Sequence, residues 1–423
     1  MMNEIESKSR FDVLTVLLFL ALATVGLLSI YSSSIATDDG IINLSNNYER
    51  QIMFLAVSII IGSMLFLIET RFFEVFSYWF FAFWIAMLIL VIFIGTEKHG
   101  ARSWFSFGGF LLQPSEFTKL GVALALSKYI SDIDTDMKSI RYQLFTAGIV
   151  LLPILLIVLQ GDAGSGLVFF SFALVLYREG LSGVILVVGI VSIILAVATI
   201  AFSIIPMIIT LIILGLLITG FVYTDAALLR KIWLIMAACM AFSVVVDIAF
   251  SKVLEDHQQK RIQVMLGIID DPLGLGYNVD QSKTAIGSGG FLGKGYLQGT
   301  QTKGDFVPEQ HTDFIFTSIG EEFGWLGCTI LIALYVALFF RIIHIAERQR
   351  SKFSRVYAYC VLSILFFHFL INIAMTINLA PVIGIPLPFI SYGGSSLISF
   401  TVMLFLLLRF DANRENELDS VNY

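Results

Sequence analysis

The chain has 423 residues, of which 57% are hydrophobic and 14% are charged, and it carries a formal net charge of −6. With a mean hydropathy of +0.88, it has too little polar surface for a soluble globular protein of this length. The composition therefore predicts a polytopic, all-α integral membrane protein, and the negative charge argues against nucleic-acid binding.

Apolar runs recur from residue 11 to residue 409 and predict a bundle of about twelve membrane helices. The predicted spans are residues 11–32, 52–68, 75–95, 115–130, 143–159, 166–177, 183–203, 205–223, 231–253, 314–340, 356–379 and 387–409. We expect a single transmembrane domain over residues 1–411, with a long loop at 252–312 and a polar tail at 412–423.

The distribution of lysine and arginine among the short connections predicts the orientation of the chain. If the N-terminus lies inside, the inner connections hold Lys128, Arg178 and Arg348, among others, whereas the short outer ones hold little beyond Arg50 and Arg102. We therefore expect both termini in the cytoplasm and the long loop on the extracytoplasmic side.

The long loop is rich in glycine, with Gly287, Gly289, Gly290, Gly293 and Gly295 in one stretch around Lys294. Backbone N–H groups and a cation together could hold a phosphate, but no Gly-Lys-Ser/Thr opens a helix here. The pattern leaves two interpretations open, a flexible re-entrant loop and a lid over a bound molecule.

Asp313 stands where this loop enters the next predicted span. A carboxylate at the edge of hydrocarbon costs several kcal/mol unless it is paired or lines a wet cavity, so it is a candidate functional residue. Thr317, Gly320 and Glu321 would share its face of the helix. We expect this polar stripe to face a cavity. The alternative is a carboxylate that only stabilises its own helix N-terminus.

A second constellation, Gln113-Pro-Ser-Glu116-Phe-Thr-Lys119, opens the fourth span. Pro114 suits the first helical turn, and Glu116 and Lys119 are three residues apart on one helix face. Arg102 precedes them by a short aromatic stretch. The Glu–Lys pair either neutralises itself or provides a cationic seat for an anionic lipid headgroup, and the sequence favours neither.

Two other stretches combine polar residues with turn residues. Asp162 lies between two glycines in an outer turn, which could be a tight turn only. Residues 383–396 carry two prolines followed by small residues that include Ser391 and Ser395, for which close helix packing is the simpler interpretation. His368 and Asn372, one turn apart in the eleventh span, are expected to form buried hydrogen bonds.

Together these motifs resemble the SEDS family (shape, elongation, division and sporulation), which includes RodA and FtsW. The likeness rests on Gly100-Ala-Arg-Ser-Trp104, the Gln113–Lys119 motif, Asp162, Asp271-Pro-Leu-Gly-Leu-Gly-Tyr277, Ala285 to Gly295, Pro308-Glu-Gln-His-Thr-Asp313-Phe314, and Pro386 to Ser396. Leu297-Gln-Gly-Thr-Gln301 is similar to the RodA branch of the family.

The resemblance implies a peptidoglycan glycosyltransferase that joins lipid II units into glycan strands and releases undecaprenyl pyrophosphate. It implies that Asp313 is the catalytic carboxylate. The substrate-binding residues that we expect are Arg102, Glu116, Lys119, Asp162, Lys294, Glu309, His311, Ser391 and Ser395.

The resemblance also implies partners and a location. The expected partners are a class B penicillin-binding protein transpeptidase and other membrane proteins of the elongation complex, in the cytoplasmic (inner) membrane. No cofactor is evident; a divalent cation such as Mg²⁺ or Mn²⁺ could assist, but no ligand cluster in the sequence demands one. Cys239, Cys328 and Cys360 lie in apolar runs without metal-ligand spacing.

Two features depart from the family pattern. The turn at residues 160–165 lacks the family's proline, and the family has about ten spans, so this chain would carry an extra hairpin before the long loop. Two other functions remain open: a flippase for the same lipid, in which the loop is a gate, and a non-catalytic scaffold for cell-wall synthesis.

Overall fold

The computed structural model describes residues 12–414 except for short gaps at 39–40, 45, 99, 109, 133–138, 223–224, 253, 255, 270–274 and 305. Within these residues the chain forms helices α1 (Val13–Ser34), α2 (Asn46–Met64), α3 (Thr70–Val75), α4 (Ser77–Ile94), α5 (Pro114–Ser131), α6 (Ile140–Leu159), α7 (Ala163–Leu167), α8 (Phe172–Arg178), α9 (Gly183–Phe202), α10 (Ile204–Val222), α11 (Ala226–Lys252), α12 (Asp256–Met265), α13 (Leu275–Ser288), α14 (Thr300–Lys303), α15 (Ile315–Glu347), α16 (Lys352–Thr376) and α17 (Gly394–Ala412).

Five short strands, which the sequence did not predict, lie between helices. Strands β1 (Ile35–Asp38) and β2 (Ile41–Leu44) form one antiparallel hairpin, with Ile35 opposite Leu44. Strands β3 (Thr96–Lys98), β4 (Ala101–Phe107) and β5 (Phe110–Leu112) follow one another in an antiparallel meander that leads into α5.

The prediction of a polytopic helical membrane protein is confirmed. Ten of the described helices are long and apolar enough to cross a membrane. The other two predicted spans correspond to α5 and to the shorter apolar segment Ala163–Arg178, which contains α7 and α8. Which hairpin is an addition to the family core stays a prediction.

One expectation about helix bounds is wrong. The last helix begins at Gly394 rather than at residue 387, because Pro386 and Pro388 lack N–H donors and Phe389 has a positive φ of 67°. The long loop also contains α12, α13 and α14. The motif residues 271–274 and the tail from residue 415 lie outside the described residues.

The chain divides into two compact units. The first comprises Met1–Leu181, Gln281–Ile377 and Ile383–Tyr423, and the second comprises Ser182–Asp280 and Asn378–Val382. The single domain expected over residues 1–411 stays a prediction.

In the first unit, α5, α16 and α17 form the buried centre, against which α2, α4 and α15 pack. Helix α17 buries 89% of its span. Small side chains make this approach close: Ser399 Oγ of α17 donates to Glu116 O of α5 at 2.7 Å. The centre of the bundle therefore holds the helices that carry polar residues.

An ion-pair cluster joins the beginning of α1 to the ends of α15 and α17. Asp12 is buried and accepts hydrogen bonds from Arg341 Nη2 at 2.7 Å and Arg348 Nη2 at 2.8 Å. Arg348 Nε also donates to Asp411 Oδ1 at 2.8 Å. Although burial acts to raise the pKa of Asp12, hydrogen bonds from Arg341, Thr15 and Arg348 lower it to about 2.

The second unit consists mainly of α9, α10 and α11, which pack against one another. Each buries only 11% of its span, and each is apolar on nearly all sides, as expected for helices surrounded by lipid. Gly215 of α10 allows close packing on α11, because a methyl group there would lie 3.3 Å from Met236 Cγ.

Candidate active site

Asp313 lies in a tight turn just before α15. Glu309, at a positive φ of 54°, accepts hydrogen bonds through its carbonyl from Thr312 N at 3.0 Å and Phe314 N at 3.2 Å. Phe314 occupies the N-cap position of α15. Asp313 therefore lies directly before the N-cap, and the alternative of a carboxylate that stabilises its own helix N-terminus stays a prediction.

The backbone around Asp313 is fastened from two sides. Asn372 Nδ2 of α16 donates to Asp313 O at 2.9 Å and to Ile385 O at 2.8 Å. Ser391 Oγ donates to Thr312 O at 2.6 Å. The buried hydrogen bonding predicted for Asn372 is confirmed, and its effect is to hold the turn at Asp313 against the segment before α17.

The Asp313 carboxylate lies against Gly384. This glycine has a φ of 71°, and a Cβ built on it would be 3.3 Å from Asp313 Oδ2. A side chain at this position would be strained and would crowd the carboxylate. Glycine at residue 384 therefore keeps space beside Asp313.

Lys119 and Glu116 of α5 form a buried pair. Lys119 Nζ lies 2.8 Å from Glu116 Oε2 and 2.9 Å from His368 Nε2, and it sits 4.8 Å from the centre of the Phe400 ring. The two side chains of the pair are 2% and 4% exposed. The geometry is that of a self-neutralising pair, one of the two predicted interpretations; a seat for an anionic headgroup stays a prediction.

His368 connects this pair to the segment before α17. Because Lys119 donates to Nε2, the ring is neutral with its proton on Nδ1, and Nδ1 donates to Pro386 O at 3.1 Å. Asn372, one turn further along α16, binds Asp313 O. Helix α16 thus links the Lys119–Glu116 pair to the turn at Asp313, and the predicted hydrogen bonding of His368 is confirmed.

Ser395 and Asp162 fasten the N-terminus of α5. Ser395 Oγ donates to Leu111 O at 2.7 Å and accepts from Gln113 N at 3.2 Å. Asp162 caps α7 by accepting from Ser165 N at 3.1 Å, and its other oxygen accepts from Gln113 Nε2 at 2.9 Å. The structure therefore brings together three motifs that are far apart in sequence.

Four predicted binding residues have partners elsewhere in the protein. The exposed Arg102, on β4, lies 3.8 Å from Glu97, and Lys294 Nζ donates to Glu321 Oε1 at 2.7 Å. Glu309 Oε2 accepts from Thr312 Oγ1 at 2.7 Å. His311 packs its ring edge-on against Tyr392, with ring centres 5.8 Å apart. Their roles toward substrate stay predictions.

The polar stripe expected after Asp313 does not face a cavity, so that expectation is wrong. Thr317 and Glu321 are fully buried. Thr317 Oγ1 lies 2.6 Å from Ser282 Oγ, and a Cβ on Gly320 would be 2.9 Å from Ile286 Cγ1. The glycine-rich segment itself covers this face of α15.

Gln51 is a site residue that the sequence reasoning missed. It is 2% exposed, its Nε2 donates to Ser391 O at 3.2 Å, and its Oε1 accepts from Gly393 N at 3.3 Å. A glutamine next to an apolar span needs hydrogen-bond partners. The position of Gln51 beside an apolar span could therefore have predicted that its amide is hydrogen-bonded, but not that its partners are Ser391 and Gly393.

The comparisons with known proteins place the chain in a family. The FtsW/RodA/SpoVE sequence profile, described as a cell cycle protein, matches residues 12–211 and 188–416. The chain belongs to this family. The peptidoglycan glycosyltransferase MrdB of Escherichia coli K12 is 33% identical, with 92% of this chain and 90% of MrdB covered. The peptidoglycan glycosyltransferase RodA of Treponema pallidum is 30% identical, with 97% and 99% covered.

Solved structures show the same fold. One chain, from work on coordination of polymerization and crosslinking by a peptidoglycan synthase complex, matches with a TM-score of 0.70 and 27% identity. The crystal structure of the rod shape determining protein RodA of Thermus thermophilus matches with a TM-score of 0.61 and 23% identity. Each match covers 96% of this chain and 98% of the other.

Proposed function

We propose that this protein is a peptidoglycan glycosyltransferase that polymerises lipid II, with Asp313 as its general base. The observation that carries the activity is similarity over nearly the whole length to family members named peptidoglycan glycosyltransferase. The predicted glycosyltransferase function is thereby confirmed, whereas the role of Asp313 is our inference from its position.

In the proposed reaction, Asp313 takes the proton from the 4-hydroxyl of the acceptor GlcNAc. The oxygen of that hydroxyl forms a bond to the anomeric carbon of the donor MurNAc, and the bond from this carbon to the pyrophosphate oxygen breaks. Undecaprenyl pyrophosphate leaves with the bonding electrons. A positioned base contributes about 10²–10⁴-fold to such a step.

Three features of the site support this role. Asn372 fixes the backbone of Asp313, Gly384 keeps space beside its carboxylate, and the turn before α15 holds it at a helix N-terminus. Arg102 and Lys119 are the cations proposed to stabilise the leaving pyrophosphate. For Lys119 this requires that the donor lipid compete with Glu116 for the ammonium group.

We place the reaction on the outer side of the cytoplasmic membrane, with both termini inside. The support is the bias of lysine and arginine toward alternate connections. A cysteine replacing Gly304 should react with an impermeant label added outside, whereas one replacing Gln349 should not. The reverse pattern would contradict the orientation.

A transpeptidase with a single membrane span is the proposed partner. An apolar cavity of about 350 Å³ opens between α8, α15 and α16, lined by residues such as Leu174, Phe339 and Phe366. Helices α15 and α16, which form two of its walls, correspond to the tenth and eleventh predicted spans. Co-purification from membranes tests the partnership, and a protein that is fully active and always isolated alone would contradict it. Assistance by Mg²⁺ or Mn²⁺ stays a prediction.

The decisive experiment compares Asp313→Asn and Asp313→Ala with the parent in polymerisation of purified lipid II. Asparagine keeps the size of the side chain but accepts no proton, so both variants should lose activity by at least about 100-fold. Asp225→Asn is the matched control, because Asp225 is an exposed carboxylate that accepts from Ala227 N at 2.9 Å.

Parental polymer yield from Asp313→Asn would exclude Asp313 as the base, whereas a parent protein that forms no polymer would favour the flippase or the scaffold. Lipid II translocation in vesicles then separates those two functions, because only the flippase moves the lipid.

A further inference from the structure

Helix α15 is interrupted at Gly324, whose φ of 63° and ψ of −160° are not helical. In a continuous helix, the carbonyls of residues 321 and 322 would accept from the N–H groups of residues 325 and 326. We call residues 289–295, which fill this break, the insert. Its four bonds are Lys294 N to Glu321 O at 3.0 Å, Gly295 N to Glu322 O at 3.0 Å, Trp325 N to Gly290 O at 2.9 Å and Leu326 N to Phe291 O at 3.1 Å.

The glycines of the insert are required by close backbone approach. A Cβ on Gly289 would lie 2.1 Å from Gly320 O, one on Gly293 would lie 2.0 Å from Glu322 O, and one on Gly324 would lie 2.3 Å from Gly293 N. A Cβ on Gly287, in the same stretch of sequence, meets nothing within 4 Å. The glycines at 289, 293 and 324 are thus explained by close backbone contact between the insert and α15.

Glu321 fastens the insert and the residues that follow it. Its side chain is fully buried, and Oε1 accepts from Lys294 Nζ at 2.7 Å. The remaining donors are Thr300 N at 2.8 Å, Gln301 N at 2.9 Å and Thr300 Oγ1 at 3.3 Å to Oε1, and Thr302 N at 2.9 Å to Oε2. One carboxylate of α15 therefore binds five donors between residues 294 and 302.

The break leaves the first part of α15, residues 315–323, as a short helix that begins two residues after Asp313. Two of the four backbone bonds that would join it to the rest of a continuous α15 are replaced by bonds to the insert. Its other contacts include Asn372 Nδ2 to Asp313 O, Ser391 Oγ to Thr312 O, and Ser282 Oγ to Thr317 Oγ1. The insert therefore contributes, together with Asn372 and Ser391, to the position of Asp313 and of the helix start that follows it.

We propose that Glu321 is a positioning residue which, through the insert, sets the location of Asp313 for the transfer reaction. This rests on the proposed role of Asp313 as the base. A shift of about 1 Å at a reacting group can reduce turnover by about 100-fold. Release of the insert should therefore reduce kcat without removing any group that binds lipid II.

The test uses the full-length protein with Glu321→Gln and Gly293→Ala. In lipid II polymerisation, kcat should fall between about 10- and 100-fold while KM stays within about twofold. The acid limb of the kcat–pH profile should also shift, because the surroundings of Asp313 change. The matched controls are Glu74→Gln, which removes a similar carboxylate 3.0 Å from Lys128, and Gly287→Ala, which meets no neighbour. Both should behave as the parent.

Amide hydrogen exchange gives a second readout that does not depend on Asp313. Residues 315–323 should exchange at least about tenfold faster in both variants, with α16 and α17 unchanged. Unchanged exchange, or faster exchange with parental kcat, overturns the proposal. If Glu321→Gln fails to fold, Gly293→Ala decides, with Gly287→Ala as its control. If Asp313→Asn is fully active, the base role fails, and the exchange result alone reports on the insert.

Discussion

In soluble proteins the more apolar segments are the more buried, and helices α17 and α9 show the opposite relation. Helix α17 begins with a run of serines and buries 89% of its span, whereas α9 is almost purely apolar and buries only 11%. In a bilayer the surroundings are themselves apolar, so hydrophobicity does not drive a helix into the protein interior. Small residues and hydrogen bonds place α17 at the centre of the first unit. The uniformly apolar surface of α9 is suited to contact with lipid.

The two units differ in the same way: the candidate site residues lie in the first unit, and the second consists mainly of apolar helices. The first unit contains Asp313, the Lys119–Glu116 pair and the carbonyl-binding residues Asn372 and Ser391. The second unit is built around three lipid-facing helices, α9 to α11. Substitutions should therefore reduce the free energy of unfolding more in the first unit than in the second, and four experiments test this.

Removal of Lys119 should give the largest loss of stability. Lys119→Met leaves Glu116 charged and buried, which costs about 3–5 kcal/mol. The double variant Lys119→Met/Glu116→Gln should recover most of this loss, because no unpaired charge remains. Thermal unfolding in detergent measures both. A stable Lys119→Met protein that binds donor lipid weakly would instead support the headgroup seat.

Acid should weaken the first unit through Asp12. The pKa of this group is about 2 in the folded protein, below its ordinary value of 3.8. A lowered pKa stabilises the fold above about pH 4, and that contribution, about 2 kcal/mol, disappears as the pH falls toward 2. Asp12→Asn should lack this part of the pH dependence. An identical acid profile for variant and parent would refute the assignment.

One substitution, glycine to alanine, compares the two units directly. A Cβ on Gly26 of α1 would lie 2.7 Å from Ile390 Cα, whereas one on Gly189 of α9 meets nothing within 4 Å. Gly26→Ala should cost about 1–2 kcal/mol because one methyl group is forced into a packed contact. Gly189→Ala should be neutral or slightly stabilising. Equal melting temperatures for the two variants would contradict the comparison.

The smallest effect is expected at Asp225, which caps α11 in the second unit. Its Oδ1 accepts from Ala227 N at 2.9 Å and Leu228 N at 3.1 Å. Asp225→Ala should cost about 1 kcal/mol and loosen only the first turn of α11. Amide exchange confined to that turn is the expected result; a global loss of stability would show that the second unit is more tightly integrated than its low burial indicates.

Apolar run length predicted the helices well because it reflects the thickness of the bilayer. The fourth predicted span, 115–130, became Pro114–Ser131, and the third, 75–95, became Ser77–Ile94. The strands were not predicted because they are too short to show a period-two pattern. The break at Gly324 was hidden as well, since a glycine in an apolar helix usually indicates close packing.

For the site, the sequence supplied the residues but not their contacts. Asp313, Asn372 and His368 were all identified, yet Asn372 donates to the backbone carbonyls of residues 313 and 385, and His368 donates to that of residue 386. The pattern of side chains in the sequence does not predict which backbone carbonyl lies within hydrogen-bond distance. Lys294 and Glu321 were both noted, but their pairing across 27 residues depends on the insert, whose backbone geometry only the fold reveals.

The polarity of α5 also bears on how the chain is made. Helix α5 is central and buried, yet it carries Glu116, Lys119 and Lys128 and does not reach the apolarity of the ten independent spans. A segment with such charges partitions poorly from the translocon into lipid by itself. Its entry during synthesis therefore has to be assisted by a neighbour, and α4, which packs along it and precedes it in the chain, is available at that moment.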